Sequence, residues 1–334
     1  MEISSPTASA RVSVVIPTRN RDDLLDEALA SLVAQTMCEW EAIVIDDGSE
    51  KPVSESTLCS RFGSRVRVAR HSVSRGGAAA KNTGISLASS SIIAFLDDDD
   101  LYACDYLSKA LLVLDNFVHL DVLFMGVSWF GKASRWAEDA YTRAMATTLR
   151  AAKGTKLSDH LVSFDKELFS AMLRSVPMAF QRPIVRRGAL STIGGYREGC
   201  LLWDCDWAIR AAMHGRGALL EERLYRQRVD GQGISSRKNI LLEHHLSRIE
   251  MTDWLLTHLK NQGKTEFVRQ VDDAVTRARI SLAYYHASIG EAGKALSAWR
   301  MGHRLKNGLN QYIVVLKLLL RAFLNGKLRR YSHQ

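Results

Sequence analysis

The chain has 334 residues, enough to bury a sizeable core and to form one large domain with an appendage. Its apolar fraction of 46% is ordinary for a soluble globular protein, and no run of about 18 uncharged apolar residues predicts a membrane-spanning helix. The net charge of +9 favours a phosphorylated ligand, an anionic lipid or a nucleic acid, and it does not choose among them.

The N-terminal residues and the cysteines argue against two further classes of protein. The opening MEISSPTASARVS contains no apolar core segment, so we expect no secretory signal peptide, and we expect residues 1–10 to form a flexible tail. Five cysteines without a C-x-x-C spacing indicate reduced thiols rather than a disulfide framework or a zinc site.

Short apolar runs alternate with helical patterns over the first hundred residues. The runs 12–16, 40–45, 66–69 and 92–96 predict strands. Apolar residues at helical spacing predict a helix over 24–33, and a second helix is expected over 78–87. This alternation predicts an α/β fold with a mostly parallel sheet and helices on both faces.

Four carboxylates follow the fourth run directly: Asp97, Asp98, Asp99 and Asp100. Adjacent acids repel one another unless a positive group lies among them, and a divalent cation is the simplest such group because hard cations bind oxygen ligands. The alternative is a solvated acidic turn or the start of a helix. The buried run in front favours a metal or metal–phosphate site at the mouth of the sheet.

Polar residues end three of the predicted strands. These are Thr18 with Asn20, Asp46 with Asp47, and the four aspartates. Because parallel strands end at one edge of a sheet, we expect the three groups to converge. PTRNR after the first strand is not the glycine pattern of a dinucleotide site, and no Walker A loop is present. The candidate ligand that remains is a nucleotide that binds through a metal ion on its diphosphate.

Four segments in this order resemble glycosyltransferase family 2, the inverting transferases with a GT-A fold. They are VSVVIPTRNR, QTMCEWEAIVIDDGS, RGGAAAKNTGISLA and IAFLDDDD. The match is strong over 11–105 and continues more loosely to about residue 235 through IGGYRE and WDCDWAIRAAMHGRG. The resemblance implies a GT-A domain over 11–237, with a nucleotide-binding half (11–105) and an acceptor half (106–237). It also implies a nucleotide-sugar donor, a divalent cation (Mn²⁺ or Mg²⁺) and transfer of the sugar to an acceptor hydroxyl.

The resemblance implies that nine residues bind the nucleotide sugar: Pro17, Thr18, Asn20, Asp47, Gly76, Lys81, Asp97, Asp98 and Arg228. Asp47 would accept a hydrogen bond from the base, and Lys81, where the family usually has Arg, would reach a phosphate. Asp98 would face the ribose. Arg228 replaces a family His and would keep a positive charge near the diphosphate.

Asp97 and Asp99 match the DxD spacing of the family, which implies a role in metal binding. Residues i and i+2 of an extended segment point the same way, so both can address one cation. Asp99 is the residue implied to bind the cation directly, and the cation would stabilise charge on the leaving diphosphate.

An inverting transfer needs a general base that takes the proton of the acceptor hydroxyl. Counting back from Arg210, which matches a helix arginine of the family, places that base at Asp204. Asp206 is the alternative, because Trp203 stands where the family has Glu. The acceptor side implied by the resemblance comprises Gly194, Gly195, Tyr196 and Trp203.

Beyond residue 238 the pattern becomes helical, and we expect an α-helical extension over 238–334. Its segment 311–331 is apolar with interspersed Lys and Arg, which suits an amphipathic helix on an anionic membrane. A helix packed on the catalytic domain or in a dimer is the alternative.

The combined expectation is a metal-dependent inverting glycosyltransferase with a donor linked to uridine diphosphate. Its acceptor would be a sugar or a lipid-linked glycan in the synthesis of surface polysaccharide or glycoconjugate, and we expect no nucleic-acid partner. We expect a cytoplasmic protein that contacts the inner face of the cell membrane. The alternatives are a transferase-like scaffold without turnover and a nucleotidyltransferase.

Overall fold

The computed structural model of the chain describes residues 10–132, 134–230, 240–302, 316–317 and 320–324. Its contacts divide the chain into two compact units, Met1–Gly199 with Trp203–Gln232, and Cys200–Leu202 with Gly233–Gln334. Except for Ala10, the predicted tail lies outside the described residues, as does most of the segment 311–331.

The first unit contains a sheet to which ten strands of the described residues contribute. The strands are β1 (Val12–Thr18), β2 (Trp40–Asp46), β3 (Val66–Arg70), β4 (Ile92–Phe95), β5 (Leu101–Tyr102), β6 (Val122–Phe130), β7 (Thr155–Ser158), β8 (Leu161–Phe164), β9 (Ile184–Arg186) and β10 (Gly217–Arg228). The strand order is β3-β2-β1-β4-β9-β6-β10-β8-β7, and β5 pairs with β10.

Within the described residues, eight α-helices of the first unit and three of the second have defined bounds. Those of the first unit are α1 (Asp22–Val33), α2 (Glu55–Phe62), α3 (Gly77–Leu87), α4 (Tyr106–Asn116), α5 (Ser134–Ala152), α6 (Glu167–Met172), α7 (Leu190–Ile193) and α8 (Trp203–His214). Those of the second unit are α9 (Ile240–Asn261), α10 (Thr265–Ser288) and α11 (Ala292–Gly302).

Strands β1 to β4 form the parallel half of the sheet, as the alternation of patterns predicts. Their apolar runs are buried, and every residue of β2 and β4 is inaccessible to solvent or nearly so. The register pairs Thr18 with Asp46, and Val15 with Phe95. The polar residues after β1, β2 and β4 therefore leave the sheet at one edge.

The other half of the sheet is mixed in direction. Strand β9 lies antiparallel between β4 and β6, whereas β10 is parallel to β6. The two-residue strand β5, just after the four aspartates, pairs antiparallel with β10 through Tyr102 and Tyr225. This pairing places the end of β10 beside the four aspartates Asp97 to Asp100, which we call the acidic turn.

The elements that were not predicted from the sequence include α2, β7 and β8. Helix α2 has a local signal, because the Ser54 side chain accepts a hydrogen bond from the Thr57 backbone N–H and caps the helix. Strands β7 and β8 are short and pair with each other, and β8 also pairs with β10, a distant segment that the local pattern does not identify.

A buried glutamate ties the parallel strands together. Glu41 of β2 accepts hydrogen bonds from the Ser13 hydroxyl (2.6 Å) and from the Ser89 hydroxyl (2.6 Å), and it pairs with Arg67 (2.7 Å). Burial disfavours its charge, but the hydrogen bonds and Arg67 outweigh burial and lower its pKa.

We expect Glu41→Ala to lower the free energy of unfolding by about 3 kcal/mol, because Arg67 and two hydroxyls lose their partner. Since folding lowers the pKa of Glu41, this contribution is present above the ordinary glutamate pKa and is lost as the pH falls through the lowered value. Urea unfolding at neutral and at acidic pH measures both effects. Glu39→Ala, at an exposed neighbouring position, is the control and should leave stability unchanged.

The second unit is a helical assembly around a small apolar cluster. Its buried members are mainly alanines: Leu282, Ala283, Ala287, Ala295, Ala298 and Ala322. Helices α10 and α11 are joined by a turn in which Gly290 has φ +84°, a conformation that glycine adopts without strain. Within the described residues, the helices are too short or too polar to cross a membrane.

Candidate active site

The ends of β1, β2 and β4 contact one another through side chains. Thr18 donates a hydrogen bond from Oγ1 to Asp98 Oδ2 (2.8 Å). The backbone N–H of Asn20 donates to the Ser49 hydroxyl (3.0 Å), and Asn20 Oδ1 accepts from the backbone of Glu50. Asn20 has φ +54°, a conformation that asparagine tolerates better than most residues. The polar residues that end three strands thus form one cluster.

Asp47 is the anchor of the loop between β3 and α3. Its carboxylate accepts hydrogen bonds from the Ser74 hydroxyl (2.7 Å) and from the backbone N–H groups of Arg75 and Gly76 (2.8 Å each), and it contacts His71 Nδ1 (2.7 Å). Burial opposes its ionisation, but these donors lower its pKa. The structure therefore places Asp47 at the predicted edge and uses both oxygens to hold the 71–76 loop.

Two buried cations meet the first aspartate of the acidic turn. Lys81 Nζ lies 2.8 Å from Asp97 Oδ1, and Arg182 Nη2 lies 2.7 Å from Asp97 Oδ2. Burial disfavours the charge of Asp97, but Arg182 and Lys81 outweigh burial and lower its pKa. Lys81 is 0% exposed, and among the described residues its ammonium has no hydrogen bond of good geometry.

The next two aspartates share one arginine. Arg21 Nη1 lies 3.0 Å from Asp98 Oδ1 and 3.1 Å from Asp99 Oδ2. Burial raises the pKa of Asp98 to about 6, and burial together with the charge of Asp97 raises the pKa of Asp99. Asp98 is buried under Thr18 and Arg21, whereas the Asp99 side chain keeps 21% of its surface exposed.

The fourth aspartate joins the acidic turn to β10. Asp100 accepts hydrogen bonds from the Tyr225 hydroxyl (2.8 Å) and from the backbone N–H of Arg228 (2.9 Å). Burial raises its pKa to about 7. The Arg228 guanidinium donates to the Asp99 carbonyl (3.0 Å) and pairs with Glu27, so this residue braces the turn.

The two candidate bases on α8 differ in burial and in partners. Asp204 lies in the first turn of the helix, keeps 21% of its side chain exposed and has Oδ2 3.8 Å from Arg182 Nη1. Asp206 is buried and bonded twice to Arg210, at 2.8 and 2.9 Å. Of the two, Asp204 is the more exposed, because Asp206 is enclosed in an ion pair with Arg210.

Residues predicted for the acceptor side surround the same helix. The Gly194 and Gly195 carbonyls accept hydrogen bonds from Trp207 and Arg210, and the Tyr196 backbone N–H donates to Asn82 (2.8 Å). Tyr196 is buried, and the Trp203 ring packs edge-on against it at 5.2 Å. Trp203 is half-buried and its ring lies 4.6 Å from Lys81 Nζ.

Comparison with known proteins agrees with this arrangement. The glycosyl transferase family 2 profile matches residues 13–173. A glycosyltransferase of Rickettsia felis is 37% identical over 124 residues, 36% of this chain and 20% of that protein. The Escherichia coli enzyme WfgD, a UDP-Glc:α-D-GlcNAc-diphosphoundecaprenol β-1,3-glucosyltransferase, is 30% identical over 103 residues, 31% of this chain and 40% of that protein. Residues 13–173 of the chain therefore form a glycosyltransferase family 2 region.

The alignments with these two relatives span a fifth and two fifths of their length, so they establish the family of the matched region. A solved structure of Staphylococcus aureus TarS (residues 1–349) matches 96% of this chain and 92% of its own, with a TM-score of 0.58 and 15% identity. The fold is the GT-A type expected from the sequence, with C-terminal helices in addition.

The acidic turn offers too few carboxylates to hold a divalent cation without ligands from another molecule. Among the described residues, no three His, Cys, Asp or Glu side chains are placed to hold one metal ion. Magnesium in nucleotide sites is usually bound by one or two carboxylates together with substrate phosphates. Asp99 and Asp97, each 21% exposed, fit that mode and do not form a complete metal site by themselves.

Sequence reasoning missed the arginines of the site. Arg182 is not among the predicted site residues, but it is 6% exposed and touches Asp97, Asp204 and Tyr225. Arg21 was assigned no role. The available signal was charge balance, because four adjacent buried acids need cations nearby. That signal does not tell which of the many arginines provides the charge.

Proposed function

We propose that this chain is an inverting glycosyltransferase that moves a sugar from a nucleotide sugar to an acceptor hydroxyl. The observation that carries the proposal is the buried Arg182, which contacts both Asp97 of the DxD pair and Asp204 on α8. One side chain thus joins a donor-binding carboxylate to a candidate general base. The family membership of the matched region supports the same reaction.

In this proposal, Asp204 is the general base. Its carboxylate accepts the proton of the acceptor hydroxyl as that oxygen forms a bond to the anomeric carbon of the donor sugar. The bond between the anomeric carbon and the diphosphate breaks on the opposite face, and its electron pair leaves with the nucleoside diphosphate. The configuration at the anomeric carbon is inverted.

The donor diphosphate would lie against the basic side chains of the acidic turn. Lys81 is fully buried and pairs with Asp97, and a phosphate oxygen would satisfy the N–H groups that this pair leaves over. The nucleotide would cross the strand ends that carry Pro17, Thr18, Asn20 and Asp47, and the start of α3 at Gly76. Asp99 and Asp97 would hold a Mn²⁺ or Mg²⁺ ion, which stabilises negative charge on the leaving diphosphate.

The names of related proteins support a donor linked to uridine diphosphate. The name of WfgD gives UDP-Glc as donor and a diphosphoundecaprenol-linked sugar as acceptor, and TarS has been solved with UDP and with UDP-GlcNAc. Succinoglycan biosynthesis protein ExoW of Rhizobium meliloti is 35% identical over 113 residues. We propose a UDP-sugar donor, a glycan or lipid-linked glycan acceptor, and a role in surface polysaccharide synthesis at the inner face of the cell membrane.

The test is a thermal-shift panel of nucleotide sugars with Mn²⁺ or with a chelator. One UDP-sugar with Mn²⁺ at about a hundred times its dissociation constant should raise the free energy of unfolding by about 2.7 kcal/mol. Removing the metal should abolish most of this stabilisation, because the negative diphosphate would then face the carboxylates of the acidic turn without a cation between them.

Product analysis separates the alternatives. Release of nucleoside diphosphate with glycosylated acceptor supports the transferase, whereas release of pyrophosphate from a nucleoside triphosphate supports a nucleotidyltransferase. Donor binding without turnover for any acceptor supports a scaffold. A chain stabilised by no nucleotide sugar, with or without metal, contradicts the donor site.

A further inference from the structure

The C-terminal segment presents an apolar surface to solvent. Leu316, Leu320, Phe323 and Leu324 are between 52% and 60% exposed. We call these four residues the C-terminal apolar surface. Exposed leucines and phenylalanines in a cluster mark an interaction site more often than isolated ones do.

The orientation of this surface follows from one buried residue. Residues 320–324 are helical, and Ala322 is 1% exposed in the alanine-rich cluster of the second unit. At 3.6 residues per turn, Leu320, Phe323 and Leu324 fall within about 100° of one another, on the side opposite Ala322. The helix therefore packs through its small residue and turns its large apolar residues outward.

Basic residues flank the apolar surface. Lys317 and Arg321 are both exposed. The sequence 303–334 contains seven Lys and Arg (Arg304, Lys306, Lys317, Arg321, Lys327, Arg329 and Arg330) and no Asp or Glu. These seven charges compare with a net charge of +9 for the whole chain, so the excess is concentrated in the stretch of sequence that contains the apolar surface.

We propose that the C-terminal apolar surface docks on the face of an anionic lipid bilayer. Large apolar residues that enter the interface, beside Lys and Arg that meet lipid phosphates, are the composition of helices that lie in a membrane surface. A second copy of the chain carries the same positive charge at this surface, so pairing between copies brings like charges together. An anionic bilayer complements both features.

The proposal is tested by flotation of the full chain with vesicles of phosphatidylcholine, alone or mixed with phosphatidylglycerol. Wild-type protein should float with the mixed vesicles, bind the neutral ones much less, and dissociate as salt is raised. The vesicles contain no glycan acceptor or nucleotide sugar, so the result is independent of the proposed sugar transfer.

Two variants separate the apolar and electrostatic contributions. Leu320→Glu with Phe323→Glu should lower the ratio of bound to free protein at least about tenfold, because two charges would enter the interface. Lys317→Ala with Arg321→Ala should lower it about tenfold on mixed vesicles only. Leu112→Glu, at an exposed leucine of α4, and Lys260→Ala, at an exposed lysine of α9, are the matched controls.

Melting temperatures of all variants should match that of the wild type, because the changed side chains are exposed. Wild-type protein that stays unbound on mixed vesicles overturns the proposal, as does a Leu320→Glu, Phe323→Glu variant that floats like the wild type. Light scattering that shows a dimer, split by this double variant while vesicles remain unbound, assigns the surface to a second copy and also overturns it.

Discussion

Asp204→Asn is expected to lower kcat for sugar transfer by about 10³-fold, because the amide cannot take the proton of the acceptor hydroxyl. Asparagine has nearly the same shape and keeps the hydrogen bond to the backbone of Cys205 at Oδ1. Donor binding and the melting temperature should therefore change little. Steady-state transfer kinetics with donor titration by calorimetry measure the two effects separately.

Asp206→Asn is the comparison for this prediction. Asp206 is enclosed by Arg210, so its replacement weakens a buried ion pair and should lower stability rather than remove the base. If Asp204→Asn retained the wild-type kcat, the assignment of the base to Asp204 would be wrong. A large loss of kcat in folded Asp206→Asn alone would move the assignment to that residue.

Arg182→Met is expected to weaken donor binding and to lower kcat/KM by about 10²-fold or more. The substitution keeps much of the side-chain volume but leaves Asp97 with Lys81 as its remaining buried cation, while Asp97 and Asp204 lose the charge between them. Removing one partner of a buried ion pair costs about 3 to 5 kcal/mol, so the melting temperature should fall as well.

Arg186→Met on β9 is the matched control for Arg182. Arg186 also lies in the first unit, but its guanidinium donates to the backbone carbonyls of Leu120 and Leu114 and not to the acidic turn. It should lose stability while keeping donor affinity. Arg182→Lys should have a higher kcat/KM than Arg182→Met, because lysine keeps the positive charge but lacks the planar guanidinium that contacts two carboxylates. Equal donor affinity in Arg182→Met and wild type would show that Arg182 serves the fold alone.

The sequence indicated some of the residues on which these predictions depend and did not indicate others. The acidic turn and the ends of β1 and β2 were found because a buried strand and the polar residue after it are adjacent in the chain. Asp204 was predicted as the base from its spacing to Arg210, and the two residues lie on one helix, which is also a local relation.

The parallel order of β1 to β4 was likewise predicted from a local alternation of strand and helix patterns. The mixed half of the sheet was not, because β8 and β9 are short and gain their partners from distant segments. A four-residue strand has too few side chains to show a period in the sequence.

The sequence by itself determined which residues reach the edge of the sheet, since strand runs and the turns after them are set by neighbours in the chain. Only the tertiary structure decided how the four aspartates divide their partners, with Asp97 on Lys81 and Arg182, Asp98 and Asp99 on Arg21, and Asp100 on Tyr225. It also decided that Asp206 is enclosed while Asp204 is open, and that Ala322 turns inward while its apolar neighbours face solvent. The physical reason is that ion pairing and burial depend on which distant segments meet, and charge or apolarity in the sequence does not specify a partner.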